Sequence, residues 1–134
     1  MIERKKQGGV YDRVSTQRAF GQGLRGGLFG TQHPRTGALE SAYEEALVIE
    51  FRQLSIGLAR QRVFPLYYKG ELAGAYIADL VVENTIILEL KSVRELSNAF
   101  DAQIVNYLRL SKLPVGYLVN FYNKRVIWKR FVNL

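Results

Sequence analysis

Apolar residues between positions 39 and 58 recur at steps of three and four, the spacing that places side chains on one face of an α-helix. The residues of this stripe are Leu39, Tyr43, Leu47, Phe51, Leu54 and Leu58. Gly57 lies close to the end of the stripe, where glycine commonly terminates a helix. We therefore expect a first helix that buries one face and ends near Gly57.

The pattern then changes to runs of β-forming residues separated by short polar breaks. Five strands are predicted, at residues 61–68, 73–82, 85–93, 115–121 and 125–132. Lys69 and Gly70 separate the first two strands, and glycine supplies the positive φ that a tight turn needs. Glu83 and Asn84 separate the second from the third. The fourth strand is almost wholly apolar, as expected for a strand that is covered on both faces.

A second helix is predicted between the third and fourth strands. Asn98 can cap its N-terminus, and Asp101 lies in its first turn, where a negative charge is favourable. Its apolar stripe consists of Phe100, Ile104, Tyr107 and Leu108, and Pro114 precedes the next strand. The order of one helix, three strands, one helix and two strands predicts an α/β domain with a single core, which 134 residues can form.

Residues 1–36 differ from the rest of the chain in glycine content and in charge. They hold seven of the twelve glycines, and seven basic residues against two acidic ones give +5 of the net charge of +7. We expect a flexible or irregular segment, with a short helix at residues 10–20, before a domain at residues 37–134. The positive charge suits nucleic acid as a partner, although it could also form a solvated tail that binds nothing in particular.

Missing residue types exclude several kinds of site. The chain has no cysteine, which rules out disulfides, thiolate zinc sites and cysteine nucleophiles. The one histidine, His33, lies in the basic segment, and no phosphate-binding glycine loop precedes a helix. No apolar run approaches the roughly 20 residues that cross a bilayer, and the N-terminus resembles no signal peptide, so we expect a cytoplasmic protein.

Two acidic residues lie inside strongly apolar predicted strands. Asp79 is surrounded by apolar residues in the second strand, and Glu89 by apolar residues in the third. A buried carboxylate is costly unless it is paired, hydrogen-bonded or bound to a metal. Lys91 follows Glu89 by two positions, so both project from one face of a strand. Such a pair could be a surface ion pair on a solvated sheet.

A different interpretation holds if Asp79 converges with Glu89 from the neighbouring strand. Two carboxylates and a backbone carbonyl form a hard-oxygen site suited to Mg²⁺. A lysine beside such a site can activate water or stabilise charge at phosphorus. Convergence depends on the loop between the strands, because a two-residue turn would place the two acids on opposite faces. A three-residue loop at residues 83–85 would pair Asp79 with Glu89, so we predict an odd-length loop or a β-bulge there.

The spacing of Asp79 and Glu89-Leu90-Lys91 resembles the D…E-x-K signature of the PD-(D/E)XK nuclease superfamily, with Ala78 in place of the usual proline. Residues 37–43, Gly-Ala-Leu-Glu-Ser-Ala-Tyr, resemble the G-x-x-E-x-x-Y motif of the bacterial GxxExxY proteins, a branch of that superfamily. The resemblance covers residues 37–134, whereas the glycine-rich residues 21–30 depart from the helix that members usually carry there. It implies a restriction-endonuclease-like αβββαβ core, with a mixed central sheet flanked by helices.

The resemblance also implies a function and its residues. It implies a Mg²⁺- or Mn²⁺-dependent nuclease acting on DNA, in which Asp79, Glu89 and the Leu90 carbonyl hold the metal and Lys91 serves the attacking water. Glu40 and Gln103 would support the site. Glu44 and Tyr107 are weaker candidates, since a solvated glutamate and a core tyrosine are the commoner interpretations of such positions. Four further aromatic residues could stack on bases or pack in the sheet, namely Tyr67, Tyr68, Tyr76 and Trp128.

Two other functions remain open from the sequence. The same fold could bind nucleic acid without cleaving it, although a broken D…E-x-K would then be expected. The chain could also be an interaction subunit that needs a partner, because no separate DNA-recognition domain is evident. A homodimer would supply additional contact surface.

Overall fold

The computed structural model describes residues 37–122 and 126–133, which form one five-stranded sheet and two helices. The helices are α1 (Gly37–Gln53) and α2 (Asn98–Ser111). The strands are β1 (Leu58–Tyr68), β2 (Glu71–Val82), β3 (Ile86–Lys91), β4 (Val115–Asn120) and β5 (Ile127–Val132). The elements follow the predicted order. The helix expected at residues 10–20, the glycine-rich residues 21–30 and His33 lie outside the described residues.

The sheet is mixed, and its strands are arranged in chain order from β1 to β5. Neighbouring strands are antiparallel except β3 and β4, which run parallel. A parallel pair needs a crossover connection, and α2 supplies it between these two strands. The mixed α/β architecture expected from the sequence is therefore confirmed.

The two faces of the sheet build two apolar clusters. On one face, Tyr43, Leu47 and Phe51 of α1 pack against strand residues such as Leu88 and Val119. On the other, Ile104 and Leu108 of α2 pack against residues that include Ile87 and Leu118. Alternate residues of β3 and β4 thus belong to opposite clusters, which explains why both strands are almost wholly apolar.

The first helix ends earlier than the apolar stripe predicts. It stops at Gln53, and Ser55 adopts a positive φ of 57° beyond its end. The amide of Ile56 then donates to the carbonyl of Phe51, as in a Schellman motif. Leu58, expected on the helical stripe, instead begins β1. The stripe continued into the next element only because a strand residue happened to fall at a helical interval.

The second helix is capped differently from the prediction. Ser97, and not Asn98, is the N-cap residue, and its side chain makes no capping hydrogen bond. Asp101 lies in the first turn as expected, and it also forms an ion pair of 3.0 Å with Lys129 of β5. Within the described part of the chain, no helix is both long and apolar enough to cross a membrane.

Candidate active site

The loop between β2 and β3 determines whether the two buried acids can meet. Val82 pairs with Ile86, so the loop consists of residues 83–85. Glu83 and Asn84 both adopt positive φ values, and the amide of Thr85 donates to the carbonyl of Val82 over 3.0 Å. The predicted odd-length loop is confirmed. Continued along the strands, this register brings Asp79 opposite Glu89.

The ladder between β2 and β3 ends at Leu80 and Leu88, one step before the two acids. Side chains replace the ladder beyond that point. The amide of Leu90 donates to Asp79 Oδ2 over 2.8 Å, and the amide of Asp79 donates to Glu89 Oε1 over 3.4 Å. Each carboxylate therefore accepts a hydrogen bond from the backbone of the opposite strand.

The strand β1 is distorted beside this gap. Gln61 has a positive φ of 48°, and it interrupts the pairing of β1 with β2 at the level of Asp79. On β2, Ala78 belongs to the α2 cluster whereas Leu80 belongs to the α1 cluster. In a regular strand these two residues would share a face, so the alternation is broken at Asp79. This break accounts for the position of the Asp79 carboxylate between the two layers.

Burial and mutual repulsion dominate the electrostatics of the pair. Glu89 is only 6% exposed. This burial, followed by the charge of Asp79, raises the pKa of Glu89 to about 8. Burial also raises the pKa of Asp79, although the hydrogen bond from the Leu90 amide opposes that shift. Among the described residues, no lysine or arginine forms an ion pair with either carboxylate.

Lys91 lies on the same face of β3 as Glu89, by strand alternation. Its ammonium nitrogen is 4.7 Å from the centre of the Phe100 ring on α2, a cation–π contact. Its charge lowers the pKa of both Asp79 and Glu89, so it lies within electrostatic reach of the pair. The alternative of a surface ion pair between Glu89 and Lys91 does not match this arrangement.

A cleft of about 180 Å³ opens beside the pair on the α1 side. Its lining residues are Glu40, Ser41, Glu44, Gln61, Asp79 and Leu90. Glu40 Oε1 accepts a hydrogen bond of 2.9 Å from the amide of Ser92, directly after the E-x-K residues. Glu44 accepts one of 3.1 Å from Gln61, and its charge raises the pKa of Asp79. The structure therefore places both candidate glutamates beside Asp79.

The other two candidates, Gln103 and Tyr107, lie on the α2 side. The side-chain amide of Gln103 donates to the hydroxyl of Tyr107 over 2.5 Å. Burial, followed by the charge of Glu89, raises the pKa of Tyr107, so its hydroxyl also lies within reach of the pair. The ring of Tyr107 stacks on Tyr76 at 3.9 Å, and Tyr76 stacks on Phe64 at 4.9 Å. This three-ring stack links α2 to the hairpin of β1 and β2.

Asn120 is a residue whose role the sequence does not reveal. It is 2% exposed at the end of β4. Its side chain accepts hydrogen bonds from the amides of Val93 and Tyr122, and donates one of 2.7 Å to the carbonyl of Val93. These bonds fix the backbone that follows Lys91. A polar residue at the end of an apolar strand is the only sequence signal for it.

The donors around Asp79 and Glu89 are oxygen atoms. The amide of Leu90 points toward Asp79, and a strand residue projects its carbonyl to the same side as its amide, so the Leu90 carbonyl faces that gap as well. Carboxylate and carbonyl oxygens suit hard divalent cations. The described residues contain no group of three or more histidine, cysteine, aspartate or glutamate side chains that could hold a metal ion. Asp79, Glu89 and the Leu90 carbonyl would by themselves supply part of a coordination shell.

Comparison with solved structures shows the same architecture elsewhere. The crystal structure of SSO0001 superposes with a TM-score of 0.57 at 17% sequence identity. The match covers 71% of this chain, and it spans only 50% of the SSO0001 chain. At this level of identity the likeness concerns the fold alone. No curated protein matches the chain.

The family comparison covers most of the chain. The family model of the PD-(D/E)XK nuclease superfamily matches residues 32–131. This range includes α1, the complete sheet as far as Phe131, and every candidate site residue from Glu40 to Tyr107. The order of elements and the convergence of Asp79 with Glu89 agree with that match. The chain belongs to the PD-(D/E)XK nuclease superfamily.

Proposed function

We propose that this protein is a metal-dependent nuclease that hydrolyses phosphodiester bonds in DNA, and that it belongs to the GxxExxY branch of its superfamily. One observation carries the proposal. Two carboxylates, those of Asp79 and Glu89, meet in a mostly buried gap of the sheet without an ion-pair partner among the described residues. Two like charges in such a place are unfavourable unless one takes up a proton or a cation lies between them.

A divalent cation such as Mg²⁺ fits this donor set. Asp79, Glu89 and the Leu90 carbonyl would hold it, and water and substrate phosphate would complete its shell. When bound, the cation would polarise the phosphate and lower the pKa of a coordinated water molecule. Because burial and the charge of Asp79 raise the pKa of Glu89 to about 8, cation binding near neutral pH would release a proton from this group.

The remaining residues act around this pair. Lys91 provides a positive charge that orients the attacking water or stabilises charge developing at phosphorus. Its contact with Phe100 holds the ammonium group in place. Glu40 supports the backbone after Lys91 through the Ser92 amide. Gln103 and Tyr107 present a hydrogen-bonded pair of polar groups toward substrate on the α2 side.

The proposal is tested by cleavage of labelled single-stranded, duplex and branched DNA, and of RNA, in Mg²⁺ or Mn²⁺. Wild type should cleave, whereas Asp79→Asn and Glu89→Gln should reduce the rate to background while leaving the circular dichroism spectrum unchanged. Lys91→Ala should lower turnover more than cation affinity. Glu95→Gln, at an exposed position between β3 and α2, serves as the matched control and should cleave at the wild-type rate.

An inactive but DNA-binding protein would identify the alternative function. If wild type binds DNA and cleaves none of these substrates above the Asp79→Asn background, the protein is a binding module on the same fold. If it neither binds nor cleaves nucleic acid, the proposed function is wrong in full. A partner-dependent subunit would then be the remaining interpretation.

A further inference from the structure

The hairpin of β1 and β2 extends beyond both helices. The two strands pair from Leu58 and Val82 at the base to Tyr68 and Glu71 at the tip. Phe64 and Tyr76 are the last buried residues toward the tip, and residues 65–75 have no buried side chain. The outer half of the hairpin therefore projects into solvent as a two-stranded arm.

The arm is fixed at its base and closed tightly at its tip. The stack of Phe64, Tyr76 and Tyr107 anchors it to α2, and the Tyr76 hydroxyl donates to the carbonyl of Tyr107 over 2.8 Å. At the tip, Lys69 and Gly70 both adopt positive φ values, 49° and 81°, as in the two-residue turns that suit a twisted hairpin.

The tip carries one exposed tyrosine on each of its faces. Tyr67 and Tyr68 are each 67% exposed, and they pair with Leu72 and Glu71 just beyond a register shift between Leu66 and Tyr67. Successive strand residues project to opposite faces, so the two phenol rings flank the arm on both sides. Of the aromatic residues that could stack on bases or pack in the sheet, Tyr76 is buried, whereas Tyr67 and Tyr68 are exposed.

We propose that this arm, residues 65–75, is a wedge that enters the junction of a branched or splayed DNA, with one tyrosine stacked on the terminal base or base pair on each side. The inference rests on the proposed action on nucleic acid and specifies its substrate class. The Tyr67 face also carries Val63, Leu72 and Ile77, each more than half exposed, so a protein partner covering that one face is an outcome of the test below. Such a partner would leave Tyr68 uncovered on the opposite face, whereas a DNA that divides around the tip would cover both rings. Base–aromatic stacking needs a ring and no particular base.

Two cations lie along the hairpin, one at its tip and one near its base, although Lys69 and Glu71 balance each other within residues 65–75. The Lys69 ammonium lies 5.5 Å from the centre of the Tyr68 ring, so a cation accompanies the ring that would stack. Arg62 lies over the Phe64 ring at 5.0 Å, between the tip and the carboxylate pair. Glu71 is the one acid among residues 62–77. A DNA strand that passes from the tip to the pair would thus meet two cations.

The length of the arm sets where cleavage should occur. Gln61 lines the cleft beside Asp79, and Tyr67 lies farther along the same strand. At about 3.3 Å per residue, the tip is roughly 20 Å from the cleft. With a rise of 3.4 Å per nucleotide along one DNA strand, cuts should lie about six nucleotides from the junction.

The test measures binding of a fluorescent splayed fork, its duplex arm and its single strand, all in EDTA so that no cleavage intervenes. Wild type should prefer the fork to both others. Tyr67→Leu and Tyr68→Leu should each weaken fork binding by about 5- to 150-fold, the loss typical for one stacked base. Tyr67→Phe and Tyr68→Phe keep the ring and should bind within about twofold of wild type.

A matched apolar control distinguishes DNA from a protein partner. Ile77 is 53% exposed on the same hairpin, where it pairs with Val63. It lies outside residues 65–75, on the same face as Tyr67. Ile77→Thr should leave fork binding unchanged. If the leucine variants bind the fork as wild type does, or lose duplex and fork affinity equally, the wedge is refuted. The wedge is also refuted if the leucine variants and Ile77→Thr change the sedimentation of the protein without DNA. That result would show that the arm is an interface between protein chains.

Cleavage mapping separates this inference from the proposed function. In Mn²⁺, wild type should cut near the predicted distance from the junction, and Tyr67→Leu should cut at scattered positions. Both results together would support the wedge. Cleavage spread evenly along the duplex and indifferent to both tyrosines would refute the wedge and leave the nuclease intact. If fork binding depends on the tyrosine rings but no DNA is cleaved, the proposed nuclease function is refuted and the wedge still stands.

Discussion

Replacing Glu89 by glutamine should stabilise the protein, and only at high pH. Glu89 is 6% exposed, and the pKa of its carboxyl group is raised from 4.5 to about 8 by burial and by Asp79. Below pH 4.5 the carboxyl group is protonated in both the folded and the unfolded state, so it does not change the free energy of unfolding with pH. Between these values the unfolded chain is ionised while the folded protein keeps the proton, so the free energy of unfolding falls as pH rises. Above pH 8 the loss is complete.

The size of this loss follows from the two pKa values. A difference of about 3.5 units corresponds to roughly 5 kcal/mol at 1.36 kcal/mol per unit. Relaxation around the ionised pair reduces that figure, so we expect about 2–4 kcal/mol between pH 5 and pH 9. Glutamine cannot ionise and should not show this loss. The variant should therefore match wild type near pH 5 and exceed it at pH 9.

Urea unfolding followed by circular dichroism measures the effect. The buffer must contain EDTA, because a bound cation would stabilise the ionised pair. Glu71→Gln, at an exposed position, is the control and should track wild type at both pH values. A difference between wild type and Glu89→Gln that stays constant from pH 5 to pH 9, within about 0.5 kcal/mol, would refute the account of the pair.

Further predictions concern the cation, the core and the basic segment. Mn²⁺ affinity, measured by calorimetry, should rise by up to about tenfold per pH unit between pH 6 and 8, since binding displaces one proton from Glu89; an unchanged affinity would contradict this. Gly116→Ala should cost about 1–3 kcal/mol in urea unfolding, because the new Cβ would lie 3.0 Å from Ile104 Cδ1; a neutral result would show that α2 can shift. Asn120→Ala should cost a similar amount by leaving Val93 unpaired, and a stable variant would show that water replaces the amide. Deleting residues 1–36 should preserve cooperative unfolding and lessen the salt dependence of DNA binding. If the truncated protein no longer unfolds cooperatively, the segment contributes to the folded structure.

The fold was predictable because the strands differ clearly from the helices in apolar pattern. The loop register was also predictable, since only an odd number of residues lets Asp79 and Glu89 meet. Helix ends were not, because they depend on single backbone conformations. Ser55 terminates α1 with a left-handed conformation, although Gly57 is the residue with the intrinsic preference for it.

The parts of the site contributed by distant residues could not be predicted. Gln61 lines the cleft because its backbone departs from the strand conformation, and nothing in its neighbours along the sequence requires this. The hydrogen bonds of Asn120 depend on Val93, which the parallel pairing of β3 and β4 brings close. Local patterns identify which side chains are costly to bury. They do not identify the partners that tertiary structure supplies.

The one parallel strand pair among the described strands also affects how the protein folds. The three strands of the β1–β2–β3 meander follow each other through short loops and can pair locally, whereas Ile86 meets Val115 only after α2 has formed the crossover. Until then we expect β3 to be an edge strand that leaves Glu89 hydrated, without the burial that raises its pKa in the folded protein. We therefore expect the site to gain its unusual protonation late in assembly, when the non-local strand pair forms. During refolding, the uptake of one proton near pH 7 should coincide with docking of β4, and it should follow the formation of the meander.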